Sequence, residues 1–187
     1  MTNPALSRPA PDEHAPHHAH YIAAVAGDDV MDFLREQAVE FEVVVGRLDE
    51  AAAGYRYAPG KWSVRQVVGH LSDAERIFAM RALCLARGER AALPNFDEDA
   101  YAAAAGHDDL PIAALLRGLG QVRQSTLTLL RQLPTAAWLN RGTVNNVQLT
   151  VRAIAFITAG HAAHHLDVLR ARYGLTGTEV RLRTLEP

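Results

Sequence analysis

The sequence predicts an all-α fold, a four-helix bundle with a long connection between helices two and three. Apolar residues recur at steps of three and four through four long segments, Pro and Gly fall between those segments, and no stretch reads convincingly as a strand. A chain of 187 residues with 49% apolar content fits one domain with a substantial core.

Pro4, Pro9, Pro11 and Pro16 punctuate residues 1–20, which are expected to form a flexible arm, leaving 21–187 as the bundle domain. His14, His17, His18 and His20 of that arm are expected to be solvated, able to pick up a transition metal without defined geometry. Asp28 or Asp29 can cap the first helix, whose apolar face is Val30, Phe33, Leu34, Phe41, Val44, Val45 and Leu48, and Gly54, Pro59 and Gly60 break it. Ser63 and Gln66 form a capping box that opens the second helix, with Val64, Val67, Val68, Leu71, Ala74, Phe78 and Leu85 spaced as one face up to Ala86. Gly88, Pro94 and the acidic stretch 97–99 mark the long connection, with a short helix across Ala100–Ala105. Pro111 suits the first turn of the third helix, which carries Ile112, Leu115, Leu116, Leu119, Leu127 and Leu130 before Pro134 stops it. After a polar loop with Gly142, Asn145 and Asn146, Thr150 can cap a last helix that ends at Gly174.

Charge excludes some functions. Nineteen Lys and Arg against 21 Asp and Glu give a net charge of -2, so no electrostatic pull toward nucleic acid or an anionic membrane is expected. One cysteine, no charged-then-apolar leader and no long apolar run point to a cytoplasmic protein.

The chemistry concentrates in histidine. The last helix contains Gly160-His161-Ala162-Ala163-His164-His165-Leu166-Asp167. His161 and His165 are four apart, about 40° around the helix axis, so both imidazoles can reach one ion. They also lie on the core-facing row Val151, Ile154, Thr158, His161, His165, Val168, whereas His164 sits on its flank; the pair His161 and His164 remains sterically possible. Two buried imidazoles cost about 1–3 kcal/mol each if left unsatisfied, a cost a shared metal removes. His70, the only histidine of helix two, is the natural third ligand. Three imidazoles with an open position suit a catalytic ion, zinc or nickel foremost, with iron or manganese also compatible; such an ion acidifies a water or a substrate thiol. Asp73, Glu75 and Asp167 could orient the imidazoles or shuttle protons. A zincin is excluded because Ala162 replaces the required glutamate, and neither di-iron Glu-X-X-His pairs nor a phosphate-binding glycine loop nor a nucleophile elbow occurs.

The string Pro59-Gly60-Lys61-Trp62-Ser63-Val64-Arg65-Gln66-Val67-Val68-Gly69-His70-Leu71, followed by His161-Ala162-Ala163-His164-His165-Leu166 and joined by the Pro94-Asn95-Phe96-Asp97 connection, resembles the DinB-like superfamily, close to its YfiT-like branch. The resemblance runs from Val30 to Gly174. It implies a four-helix bundle whose metal is held by one histidine of the second helix and a His-X-X-X-His pair of the fourth, here His70, His161 and His165. It also implies a homodimer, and an activity among metal-dependent hydrolases, thiol S-transferases or mycothiol-dependent isomerases acting on a small molecule, some with a low-molecular-weight thiol. A non-catalytic stress-response protein with a structural ion is the alternative. The substrate is not legible, because the long connection around Phe96 and Tyr101 carries no diagnostic chemistry.

Overall fold

The computed structural model describes residues 7–27 and 29–176. Four long helices make the bundle: α2 (Val30–Val45), α4 (Val64–Ala86), α6 (Ile112–Arg131) and α7 (Val151–Tyr173). Shorter helices are α1 (Ala19–Ala24), α3 (Glu50–Ala53) and α5 (Glu98–Ala104). Each of α2 and α4 packs against both α6 and α7, so α2 and α4 stand diagonally across the bundle.

Capping chemistry sets the boundaries. Asp29 accepts from the Met31 amide at 2.8 Å, while Asp28, the other candidate cap, lies outside the described residues. The first segment is shorter than its apolar spacing suggests: α2 ends at Val45 before Gly46, and Asp49 caps the separate turn α3. Ser63 and Gln66 form the reciprocal capping box of α4, Thr150 accepts from Ala153 at the start of α7, and Gly174 closes α7 at φ 72°.

Two expectations are corrected. The polar loop after α6 contains a hairpin, β1 (Arg141–Val144) paired antiparallel with β2 (Val147–Thr150). Asn145 and Asn146 turn it at φ 47° and 61°, the left-handed pair of a two-residue hairpin that asparagine tolerates. The second correction concerns the N-terminal arm. Within 1–20, the described residues 7–20 dock on the bundle instead of hanging free: Arg8 donates to the Val25 carbonyl at 2.7 Å, Asp12 pairs with Arg141, and Glu13, 3% exposed, accepts from Thr150 at 2.8 Å and pairs with Arg152. Proline density had argued against a long helix, and correctly, but two single turns at Pro11–Glu13 and Pro16–His18 lead into α1, which lies along α7.

The core has two apolar halves. One gathers Val151–Ala159 of α7 with Ala82, Leu85 and Ala86 of α4, α1 and the hairpin; the other gathers Leu166 and Leu169 with Val64, Val67, Val68 and Leu71. Between the halves lies a buried polar layer that includes His70, Glu75, Arg123 and His161.

Candidate metal centre

His70 projects from the second turn of α4, and His161 and His165 from successive turns of α7. Packing of α4 on α7 brings the three rings together: one ring nitrogen from each lies within 4.8 Å of the others. The Nε2 atoms of His70 and His161 face each other at 3.2 Å. Nδ1 of His165 is buried without a hydrogen-bond partner among the described residues. His164, the competing ligand, is exposed and turns toward the rings of His20 and Tyr21.

Burial governs the electrostatics. It pushes His161 down to about 3, helped by the neighbouring imidazoles of His70 and His164. Burial also takes His70 down to about 4 against the opposing pull of Asp73 and Asp99, and holds His165 well below the usual histidine value. All three are therefore neutral at physiological pH, the protonation state in which imidazole binds a metal.

The donor set fits a divalent ion. Two imidazole nitrogens confront one another and a third is orphaned, and a cation between them would partner all of these at once. Aromatic neighbours fix the rings: Trp62 lies 4.7 Å from His70 and stacks at 13° on His165, while Phe78 meets His161 edge-on at 5.5 Å. Tyr173 donates to the Trp62 carbonyl at 2.7 Å and so anchors that indole to the end of α7.

The cluster lines a cavity of about 560 Å³. Its wall includes groups not assigned to the site from sequence: His18, expected to be solvated, and Tyr21 from the N-terminal segment, Arg81 from α4, and Val144 and Val147 from the hairpin. His18 is half-buried, and burial pushes it down to about 4, so this histidine is not fully solvated. Gly160 admits Tyr21, since a Cβ there would stand 1.9 Å from the Tyr21 carbonyl oxygen. Arg81 had a legible signal: it falls three residues after Phe78 and four before Leu85, on the apolar stripe where a charge is out of place.

The acidic helpers expected near the imidazoles are occupied elsewhere. Glu75 is held by Arg123, whose Nε donates at 2.8 Å, and Asp167 is exposed beside Arg170. Asp73 pairs with Arg76 and lies 3.7 Å from His107. His107 itself is 8% exposed and presses on Gly69, where a Cβ would sit 2.3 Å from its ring.

A family model for the DinB superfamily matches residues 34–169, a span that contains all three clustered histidines. The chain belongs to the DinB superfamily. Among solved structures, YfiT from Bacillus subtilis aligns with this DinB-superfamily chain at a TM-score of 0.70 and 19% identity, covering 94% of this chain and 93% of that one. It is described as "a probable metal-dependent hydrolase with an unusual four-helix bundle topology", and at this identity the likeness establishes the fold. No curated protein matches the sequence. Among the described residues no helix is long and apolar enough to cross a membrane.

Proposed function

We propose that His70, His161 and His165 hold one divalent metal ion, zinc or nickel foremost, and that this DinB-superfamily protein is a metal-dependent hydrolase or thiol S-transferase acting on a small molecule. The observation that carries the reading is the meeting of three neutral imidazoles, those of His70 and His161 buried and that of His165 half-buried, at one wall of a cavity of about 560 Å³. The description of YfiT as a probable metal-dependent hydrolase supports it.

A divalent ion bound there supplies Lewis acidity, lowering the pKa of water or of a substrate thiol. The chain contributes the rest. Trp62 and Phe78 pin the imidazole planes, so the ligand geometry is set before binding and little is lost in ordering it. Val67, Ile154, Ile157 and Val168 give the cavity an apolar lining that strengthens electrostatic interactions within it. Tyr21 and His164 approach the cluster from the α1 side, where a hydroxyl and an exposed imidazole can orient a polar substrate. A purely structural ion would call for a fourth protein ligand; among the described residues only three groups converge, which favours an open position.

The homodimer implied by the resemblance belongs to the same proposal. Val39 and Val43, one turn apart on α2 and 65% and 54% exposed, are apolar surface consistent with it.

The test is metal analysis of protein purified without an affinity tag or added metal, beside the triple variant His70→Ala, His161→Ala, His165→Ala. Near-stoichiometric metal is expected in the parent and little in the variant. Equal metal in both would reject the site.

A further inference from the structure

Arg81 is the outlier of the cavity. Its residue is 6% exposed, yet it forms no ion pair among the described residues. Nη2 donates to the Pro94 carbonyl at 2.6 Å, while Nε is buried without a hydrogen-bond partner among the described residues. The guanidinium lies 5.7 Å from the centroid of Phe96 and 6.0 Å from that of Phe78. Those rings and the arginine line the same cavity as the three histidines.

A buried guanidinium without a carboxylate is an expensive arrangement, because removing the charge from water costs several kcal/mol that only a counter-charge or full hydrogen bonding recovers. The bundle shows the alternative a few residues away. Arg123, equally buried, meets Glu75 through Nε and Nη2 and donates through Nη1 to the Leu34 carbonyl and Gln37. Arg81 has no such partner. The acidic groups that line the cavity, Glu98 and Asp99, are exposed and neither pairs with it. His18 lines the same cavity and also carries a buried, unpartnered nitrogen, Nδ1.

Position along α4 relates this charge to the histidines. Arg81 follows His70 by eleven residues, so it returns to within about 20° of the same helix face three turns on. Phe78, which touches His161 and lies beneath the Arg81 guanidinium, bridges the two.

We propose that the cavity takes a small anionic organic molecule, with Arg81 receiving its carboxylate or phosphoryl group while the uncharged remainder lies along Phe78 toward the three histidines. Nε is unpartnered, and Nη2 beside it, which gives one hydrogen to the Pro94 carbonyl, keeps a second, so the two form the edge of a planar fork that matches two oxygens of such a group. The anion supplies the counter-charge the fold omits, and neutral analogues of the same shape leave it missing. This names a substrate class for the cavity of the proposed metal-dependent activity, and it rests on that reading only in taking the same cavity as the substrate site.

The test uses chelator-treated protein, so that no metal competes for the anion, with benzoate, phenylphosphonate and benzamide as probes. Benzoate or phenylphosphonate is expected to shift the ¹⁵N–¹H signal of Arg81 Nε saturably, and benzamide to leave it in place. Calorimetry is expected to show benzoate binding weakened about tenfold or more in Arg81→Met, with benzamide binding unchanged. Arg81→Lys, which keeps the charge and loses the fork, is expected to fall between, and serves if the methionine variant does not fold; the signal in the parent protein needs no variant. Equal binding of benzoate and benzamide, or undiminished benzoate binding in Arg81→Met, would overturn the assignment. Metal content is measured separately, so a failure of the three-histidine site leaves this result readable.

Discussion

Glu75 and His70 are both buried polar residues of α4, five residues apart, and their surroundings are finished in opposite ways. Around Glu75 the polar atoms find partners: Arg123 of α6 grips its carboxylate and the Leu34 carbonyl of α2, and Gln37 passes a further hydrogen bond of 3.0 Å to the Ala159 carbonyl of α7. That single network ties together all four long helices. Around His70 the imidazoles confront one another, and among the described residues Nδ1 of His165 is left over and Arg81 beyond them has no counter-charge. Buried polarity that is fully paired specifies architecture, whereas buried polarity left incomplete beside a cavity is reserved for something that enters. The two regions are also coupled, because the Gln37 bond fixes α7 two residues before His161.

The largest expected effect lies in the paired region. Arg123→Met strands the Glu75 carboxylate and the Gln37 amide oxygen, and is expected to cost about 3–5 kcal/mol in urea unfolding. A loss below about 1 kcal/mol would show the network to be dispensable and blur the contrast. The incomplete region should respond to ligand instead. Zinc at about a thousandfold above its Kd is expected to stabilise the parent by about 4 kcal/mol in thermal unfolding. The triple histidine variant is expected to gain nothing, and an equal gain there would point to binding elsewhere.

Gly160→Ala probes the wall between α1 and the cluster. Overlap with the Tyr21 backbone is expected to cost about 1–3 kcal/mol and to open residues 7–24 to protease before the rest of the chain. Unchanged stability and unchanged cleavage would mean that the N-terminal segment is not held there.

The smallest effect is at Glu13. Burial alone would raise this carboxyl, but the hydrogen bond from Arg152, with those from the Ala10 amide and Thr150, brings it below its ordinary value of 4.5. A lowered folded value contributes stability above 4.5 that fades as pH falls through it. Glu13→Gln is thus expected to be less stable than the parent at neutral pH and to converge with it in acid; a gap that stays constant with pH would exclude the ion pair as its source.

Much of this was legible in residues. The step of three and four marked the four long helices, Ser63 with Gln66 and Thr150 marked two of their starts, and the four-residue spacing of His161 and His165 placed two imidazoles on one face. Other features were not. The hairpin hid because its strands are four residues each and its turn is Asn-Asn, which reads equally well as loop. The docking of residues 7–20 hid because its anchors, Glu13 with Thr150 and Arg152, are separated by some 140 positions, a pairing no local pattern encodes. Gln37, Glu75, Arg81 and Arg123 each interrupt an apolar stripe, so their burial was readable but their partners were not.

By itself the sequence determined where the four long helices begin, where α4 and α7 end, and which faces are apolar, because capping, turn formation and helical periodicity act over a few residues. Tertiary structure alone decided that Glu75 meets Arg123 while Arg81 meets no carboxylate among the described residues, and that His70 closes on the α7 pair. Those outcomes depend on how four helices are rotated and shifted against one another, and that arrangement follows from the packing of the whole core.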